Sequence, residues 1–346
     1  MDHINGPRNW KILVCSIFLI QSTASFTYAP KGVGKIAPLR AESSSVCEDK
    51  LQDESRGTFA PFVAYAWKRL LSSGLVDESS IPVPEHLAFK SSPARGFPDG
   101  STVDIEVKSA TPLETSANEI SPLRLARYAL LETLTPDVED PKQMISVPNA
   151  IQVLNLVLFP DVSLALPVLG MDLVTLPGNK SLIAIDFQPI LPPVPSSGDV
   201  GEEEHAPLFP EDYAQYEQRI KALHEKHVLN QSEVLPWGGD IPPQAKRFFS
   251  PYALWTRLQG EGALCTLQNE VFDAFCDYFD LYLEIMQSCQ SSISSVSSIE
   301  SNEIKEGHID YLNYRRDNDP ARPMLKRLYG EDYTEEVITN ILFKMI

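Results

Sequence analysis

Four polar side chains interrupt or adjoin apolar runs, which is where groups able to do chemistry stand out. Asp172 lies inside VLGMDLVT at 168–175. On a strand it shares its face with Gly170, Val174 and Leu176, so the carboxyl group must be paired, hydrogen-bonded or protonated. Asn155 holds the same kind of position in IQVLNLVLF at 151–159, between Val153 and Val157, and the two polar groups point to a shared pocket. The alternative for both is a hydrogen bond that satisfies a sheet edge or a turn. Asp319, in DNDPAR at 317–322, precedes a proline and is on local grounds a turn initiator or helix N-cap. Asp186, in LIAIDFQ at 182–188, is either a site acid or a structural partner within a hairpin. Carboxyl groups that burial keeps protonated can deliver protons to a bound substrate.

The chain carries 29 Lys and Arg against 47 Asp and Glu, a net charge of −18. Phosphate backbones are repelled by such a chain on average, so nucleic acid is not an expected partner. Against that background the cluster Arg315, Arg316, Arg322, Lys326 and Arg327 is conspicuous. It is either a dock for an acidic protein or anionic substrate, or a solvated helix face. Lys246, Arg247 and Arg257 form a second basic group around FFSPYALW at 248–255.

With 346 residues, 43% of them hydrophobic, the chain can bury a large core and is not a disordered polypeptide. Its 28 prolines argue against a helical bundle. The five cysteines show no CxxC spacing, His224 and His227 have no further ligand nearby, and GxGxxG, P-loop, GxSxG and HExxH patterns are absent. No metal site, nucleotide cradle or hydrolase elbow is therefore expected.

The elements that must position the candidate residues follow from periodicity. Residues 61–75 have helical spacing closed by Gly74, and 76–118 are Pro- and Ser-rich with one strand at 102–108. Segments 123–133 and 150–159 flank a loop at 136–148, and strands at 169–176 and 181–189 form a hairpin around Pro177, Gly178 and Asn179. A loop at 191–211, a polar helix at 211–229, a long one-faced helix at 265–288, a mobile Ser-rich loop at 290–301 and a helical C-terminal stretch at 311–346 complete the chain. The expected architecture is α/β, a three-layer α/β/α sandwich with a central, largely antiparallel sheet.

At the N-terminus, the apolar run at 12–20 follows Arg8 and Lys11 and precedes small residues at 22–25, the pattern of a signal peptide and too short to span a bilayer. Residues 26–45, beginning at Phe26 and carrying Lys31, Lys35 and Arg40, read as a transit segment. Together they look like the bipartite leader of plastids bounded by more than two membranes, and the expected location is the plastid stroma. Ordinary secretion is the alternative, against which the unpatterned cysteines count. Residues 46–118 are read as an N-terminal extension with a helix and loops, and 119–346 as the catalytic domain, which as a single unit starts near residue 60.

The tracts QVLN (152–155), GMDLV (170–174), AIDFQP (184–189), FSPYALWTR (249–257), DPAR (319–322) and the ending ILFKM (341–345) resemble, in order and spacing, the ferredoxin-dependent bilin reductases. The resemblance runs from about Leu123 to the C-terminus. It implies an α/β/α sandwich holding a linear tetrapyrrole between the sheet and the C-terminal helices. It also implies no bound flavin, nicotinamide or metal, single electrons from reduced ferredoxin, and protons from the protein.

Within the family, GGDIPPQAKRFFS at 238–250 is most similar to the branch that reduces the A-ring diene system of 15,16-dihydrobiliverdin to phycoerythrobilin. The branch that converts biliverdin IXα to phytochromobilin is the nearest competitor, and a bilin carrier or lyase that does not reduce its pigment is the alternative of another class. Asp172 and Asp319 match the family's acids, on the central strand and on the C-terminal loop. Asn155 falls where the phycocyanobilin-forming branch has a catalytic histidine, so that product is not expected, and Asn155 instead orients the pyrrole lactams. Arg257 is expected to meet a substrate propionate, Asp186 to contact substrate, and Arg315, Arg316, Lys326 and Arg327 to dock ferredoxin. A preceding bilin reductase that hands over its labile product is a further candidate partner. The role of Glu132 is left open.

Overall fold

A computed structural model describes residues 57–77, 83–112, 121–191, 208–209, 214–290 and 298–345. The proposed leader at 1–45 and most of the loop at 191–211 lie outside the described residues. Helix α1 (Ala60–Ser72) is followed by β1 (Val76–Asp77), α2 (Glu85–Ala88), β2 (Phe89–Pro93), β3 (Thr102–Pro112), β4 (Leu123–Pro136), β5 (Met144–Ser146), β6 (Gln152–Pro160), β7 (Val168–Leu176) and β8 (Lys180–Gln188). Then come α3 (Ala214–His224), α4 (Pro243–Lys246), β9 (Leu254–Gln259), α5 (Ala263–Thr266), α6 (Phe272–Gln290), α7 (Ser298–Asp317), α8 (Arg322–Tyr329) and α9 (Glu331–Val337). Single π turns extend α3 (Glu225–Leu229), join α5 to α6 (Leu267–Val271) and end α9 (Ile338–Leu342).

The strands form one antiparallel sheet in the order β1-β3-β4-β6-β7-β8-β9, with β2 also on β3 and β5 on β4. The apolar, β-branched run of β6 makes a central strand, and Pro160 closes it because proline has no N–H for the ladder. The β7–β8 turn needs Gly178 and Asn179, which adopt φ of 89° and 53°. The Asn149 side-chain oxygen accepts both of their N–H groups, at 2.8 and 2.9 Å.

Two cores flank the sheet. On one face α1, α3 and α6 pack through Phe62, Ile220, Phe275, Phe279 and Tyr282 onto Leu154, Leu156, Met171 and Ile183. On the other, α7, α8 and α9 pack through Tyr311, Leu325, Tyr333 and Val337 onto Ile105, Val107, Leu131 and Val157. The layering is the α/β/α sandwich expected.

Several expectations need correction. The stretch 76–118 contributes β1, β2 and β3, and α1 packs on the sheet's core, so residues from about 60 belong to the same fold as the strands that follow. Strand β2 is exposed nearly throughout and pairs only with β3, so it carries no alternation signal. The loop at 136–148 contains the short β5. Strand β9 at the far edge was unforeseen, because its Trp, Thr and Arg mask the pattern of a half-buried strand. Residues 298–301 open α7, while 291–297 of the expected Ser-rich loop lie outside the described residues.

Candidate active site

The sheet register puts Ala129, Asn155, Asp172, Ala184 and Trp255 side by side on five adjacent strands, so their side chains share the face covered by the C-terminal helices. Asn155 and Asp172 are direct partners. The Asn155 amide donates to one Asp172 oxygen and Arg315 of α7 donates to the other at 3.0 Å. The two charged side chains remain 26% and 18% exposed, so solvent reaches both beneath the helices and a ligand held there would cover them. Arg127, two residues before Ala129 on β4, donates to the Asn155 oxygen at 2.5 Å and to the Leu342 carbonyl at 2.6 Å.

Asp319 lies in the turn between α7 and α8, where its carboxylate accepts the Ala321 N–H at 2.7 Å. It caps that turn and is also within electrostatic reach of Arg315, Asp172 and Arg127. Burial pushes its carboxyl pKa up, and the Ala321 N–H and Arg315 offset part of the rise. Burial works against the charge on Arg315, but Asp172 and Tyr311 outweigh it and hold the guanidinium firmly protonated. Arg127 is 0% exposed. Burial pushes its pKa down to about 10, which leaves it a cation at neutral pH. The site thus holds two carboxyl groups and two guanidiniums, in which a carboxyl whose pKa burial raises sits beside one held by fixed donors.

The sequence-based assignments divide. Asp172, Asn155 and Asp319 come together. Arg315 does not face a docking surface: its helix turns it inward, onto Asp172. Of the remaining expected docking residues, Arg316 bonds Asn313 at 2.8 Å, and Lys326 pairs with Glu331 and Glu335 at 2.8 and 2.9 Å. Arg322, from the same cluster, pairs with Glu335, and Arg327 is exposed.

Asp186 is 1% exposed and accepts the N–H and hydroxyl of Ser250. It anchors the segment before β9 and does not line open space, which corrects its expected contact with substrate. Arg257 is exposed on the same sheet face as Asp172, next to Leu182, with its guanidinium 5.6 Å from the Trp255 ring. Both ends of the Asn155 amide are engaged by protein groups, so its assignment to substrate lactams is replaced by one to Asp172. Glu132 pairs with Asp104 of β3 and faces the α1 side of the sheet, away from the site.

Three residues escaped the sequence reading: Arg127, Tyr311 and Phe343. Arg127 carried the same signal as Asp172, a charge within an apolar strand, LARYALL at 125–131. Tyr311 donates to Gln188 on β8. The Phe343 ring lies 5.0 Å from the Arg127 guanidinium and 5.4 Å from that of Arg315. On the opposite face of the sheet, a groove of about 720 Å³ between α1, α3 and α6 is lined by arginines already paired, Arg69 with Asp280 and Arg219 with Glu284. It shares nothing with the Asp172 cluster. Among the described residues no group of three His, Cys, Asp or Glu could hold a metal ion, and no helix is long and apolar enough to cross a membrane.

A sequence profile described as ferredoxin-dependent bilin reductase matches residues 142–344. The phycoerythrobilin:ferredoxin oxidoreductase of Nostoc punctiforme is 38% identical over 200 residues, covering 57% of this chain and 67% of the relative. That of Gloeobacter violaceus is 37% identical over 197 residues, covering 57% and 70%. In fold, the chain is similar to the crystal structure of tomato phytochromobilin synthase in complex with biliverdin, with a TM-score of 0.57, 24% identity and 82% of each chain covered. The profile spans the strands that bring Asn155 and Asp172 together as well as the helices that bring Arg315 and Asp319 to them, and on these findings the chain belongs to the ferredoxin-dependent bilin reductases and is an oxidoreductase.

Proposed function

We propose that this chain reduces the A-ring diene system of 15,16-dihydrobiliverdin to phycoerythrobilin, with two electrons delivered one at a time by reduced ferredoxin and two protons delivered by the protein. The observation that carries this reading is the Asn155–Asp172 pair with Asp319 in electrostatic reach, beneath the C-terminal helices and with Asp172 and Arg315 still partly accessible to solvent. The relatives named phycoerythrobilin:ferredoxin oxidoreductase support the choice of substrate.

A bilin lying on the sheet between Asp172 and Asp319 gains negative charge with each electron, and a proton must follow to avoid stranding that charge away from water. Asp319, whose carboxyl pKa burial raises, supplies one proton. Asp172, aimed by Asn155 and Arg315 and still 26% exposed, passes the other from solvent to the bilin, and the two guanidiniums stabilise the carboxylates left behind. Arg257, at the exposed end of the same face, meets a substrate propionate. The exposed Arg327, with Arg316 and Lys326 beside it, is the proposed ferredoxin dock, and Arg315 is not part of it. No resident cofactor enters this scheme. Action in the plastid stroma, behind the leader at 1–45, belongs to the same proposal, as does a preceding reductase that supplies the dihydro-bilin.

The test is anaerobic turnover with reduced ferredoxin and either 15,16-dihydrobiliverdin or biliverdin IXα, followed by absorbance and product chromatography. Phycoerythrobilin from the dihydro substrate, with little turnover of biliverdin, is the expected result. Efficient conversion of biliverdin to phytochromobilin would move the chain to the neighbouring branch, and binding of both bilins without turnover would refute the reading.

A further inference from the structure

We propose that Arg127 is a positioning residue for proton delivery, fixing the orientation of the Asn155 amide and, through it, the Asp172 carboxylate. The inference rests on the reading that Asp172 handles a proton.

A guanidinium has only donors. With its Nη1 on the Asn155 oxygen, the amide NH₂ has to point the other way, and that is where Asp172 stands. Were Asn155 flipped, its NH₂ would face a cation and its oxygen a carboxylate, and both contacts would be repulsive. Arg127 thereby selects one of two amide orientations of nearly identical shape.

Arg127 is itself fixed from three sides. Its Nε donates to the Leu342 carbonyl at 2.6 Å. That carbonyl ends the π turn Ile338–Leu342, where the last C=O groups of a helix have no internal donor. The rings of Phe343 and Phe159 lie 5.0 and 5.8 Å from the guanidinium carbon, a cation–π cradle. Among the described residues its Nη2 is buried with no hydrogen-bond partner, and no carboxylate is bonded to the group. A fully buried cation without a directly paired anion is an expensive way to fill a core. An apolar side chain would pack more favourably, so the charge at this position serves the site.

Phe343 stands between Arg127 and Arg315. These two guanidiniums hold the two ends of the Asn155–Asp172 pair. The last residues of the chain therefore set the spacing of the cluster without touching the reacting acid.

The experiment measures kcat, and KM for 15,16-dihydrobiliverdin, in the full chain with reduced ferredoxin, for Arg127→Lys, Asn155→Ala and the double variant. Lysine keeps the charge but not the fork that reaches both Leu342 and Asn155. Arg127→Lys alone is expected to lower kcat about 100-fold, as a misplacement of about 1 Å does, with KM little changed. In the Asn155→Ala background the same change is expected to alter kcat by no more than a factor of about two. Equal losses in both backgrounds would show that Arg127 acts on the fold at large and would overturn the proposal.

If Arg127→Lys does not fold, Phe343→Leu reads the same coupling. It leaves the Leu342 carbonyl in place and removes the ring between the guanidiniums, and an unchanged kcat would overturn the proposal. Full turnover by Asp172→Asn would overturn the reading beneath it. An inactive Asp172→Asn with a fully active Arg127→Lys would sink this inference alone.

Discussion

Replacing Arg315 with glutamine tests whether its guanidinium serves Asp172 or a docking surface for ferredoxin. Its 3.0 Å bond to Asp172 joins side chains that are 18% and 26% exposed. At an effective dielectric near 20, the gross attraction between two unit charges at such a distance is about 5 kcal/mol. Desolvation and residual solvent screening leave a net value of about 2 kcal/mol, typical of a hydrogen bond to a charged group. If Arg315 holds Asp172 for proton delivery, losing that amount in the transition state lowers kcat about 30-fold.

The assay is steady-state turnover with ferredoxin and bilin varied separately at low and high ionic strength. The expected result is a large fall in kcat at saturating ferredoxin, with the KM for ferredoxin and its salt dependence as in the unsubstituted protein. A raised ferredoxin KM that no longer responds to salt, combined with a normal kcat, would place Arg315 on the docking surface and refute the structural reasoning.

Asp319→Asn keeps the shape but removes the transferable proton. Burial raises this carboxyl's pKa, so its protonated, active form is lost as pH rises through the raised value. The variant is expected to turn over slowly at every pH and to lack that alkaline decline, and a wild-type rate and profile would exclude Asp319 as the acid. Glu132 has a pKa pushed from 4.5 up to about 7, chiefly by burial and also by Glu106 and Asp104. The folded chain thus binds more protons than the unfolded chain between these values, and stability falls as pH rises through that window. Glu132→Gln is expected to match the unsubstituted protein in denaturant unfolding near pH 4 and to exceed it by about 3 kcal/mol at pH 8. Equal stability at both pH values would refute the burial argument. Asp186→Ala leaves the Ser250 N–H and hydroxyl without their acceptor and is expected to cost about 3 kcal/mol of stability. A raised bilin KM with an unchanged unfolding midpoint would instead restore a substrate contact for Asp186.

Much of the site was legible because strands advertise themselves by alternation. A polar residue inside an apolar strand is conspicuous, and both Asp172 and Asn155 were found that way. Their pairing across β6 and β7 follows from the apolar registers of the two strands. The same signal at Arg127 is hidden because the segment 123–133 has no strand assigned from its sequence, so no face is defined on which the charge would stand out. Asp186 shows the limit of the rule, because its apolar surroundings conceal a private partner, Ser250, 64 positions away. The edge strands β2 and β9 were missed because they bury little of their own length or mix polar and aromatic residues, and neighbours rather than pattern hold them in the sheet.

By itself the sequence determined the α/β class, the central hairpin, the helices that cover the sheet and the places of Asp172 and Asn155 within apolar strands, whereas Asp319 was singled out as a proton donor by the family resemblance alone. These depend on local periodicity and on the cost of placing charge among apolar residues, and both are properties of short stretches of chain. Only the tertiary structure decided what each charge meets. Ile304 and Tyr311 pack α7 against the sheet, and that packing carries Arg315, one helical turn beyond Tyr311, onto Asp172. The C-terminal π turn brings a free carbonyl to Arg127 by the same kind of long-range packing. A charge's partner is set by through-space distance in a medium of low dielectric, and distance between segments more than a hundred residues apart is written in no local pattern.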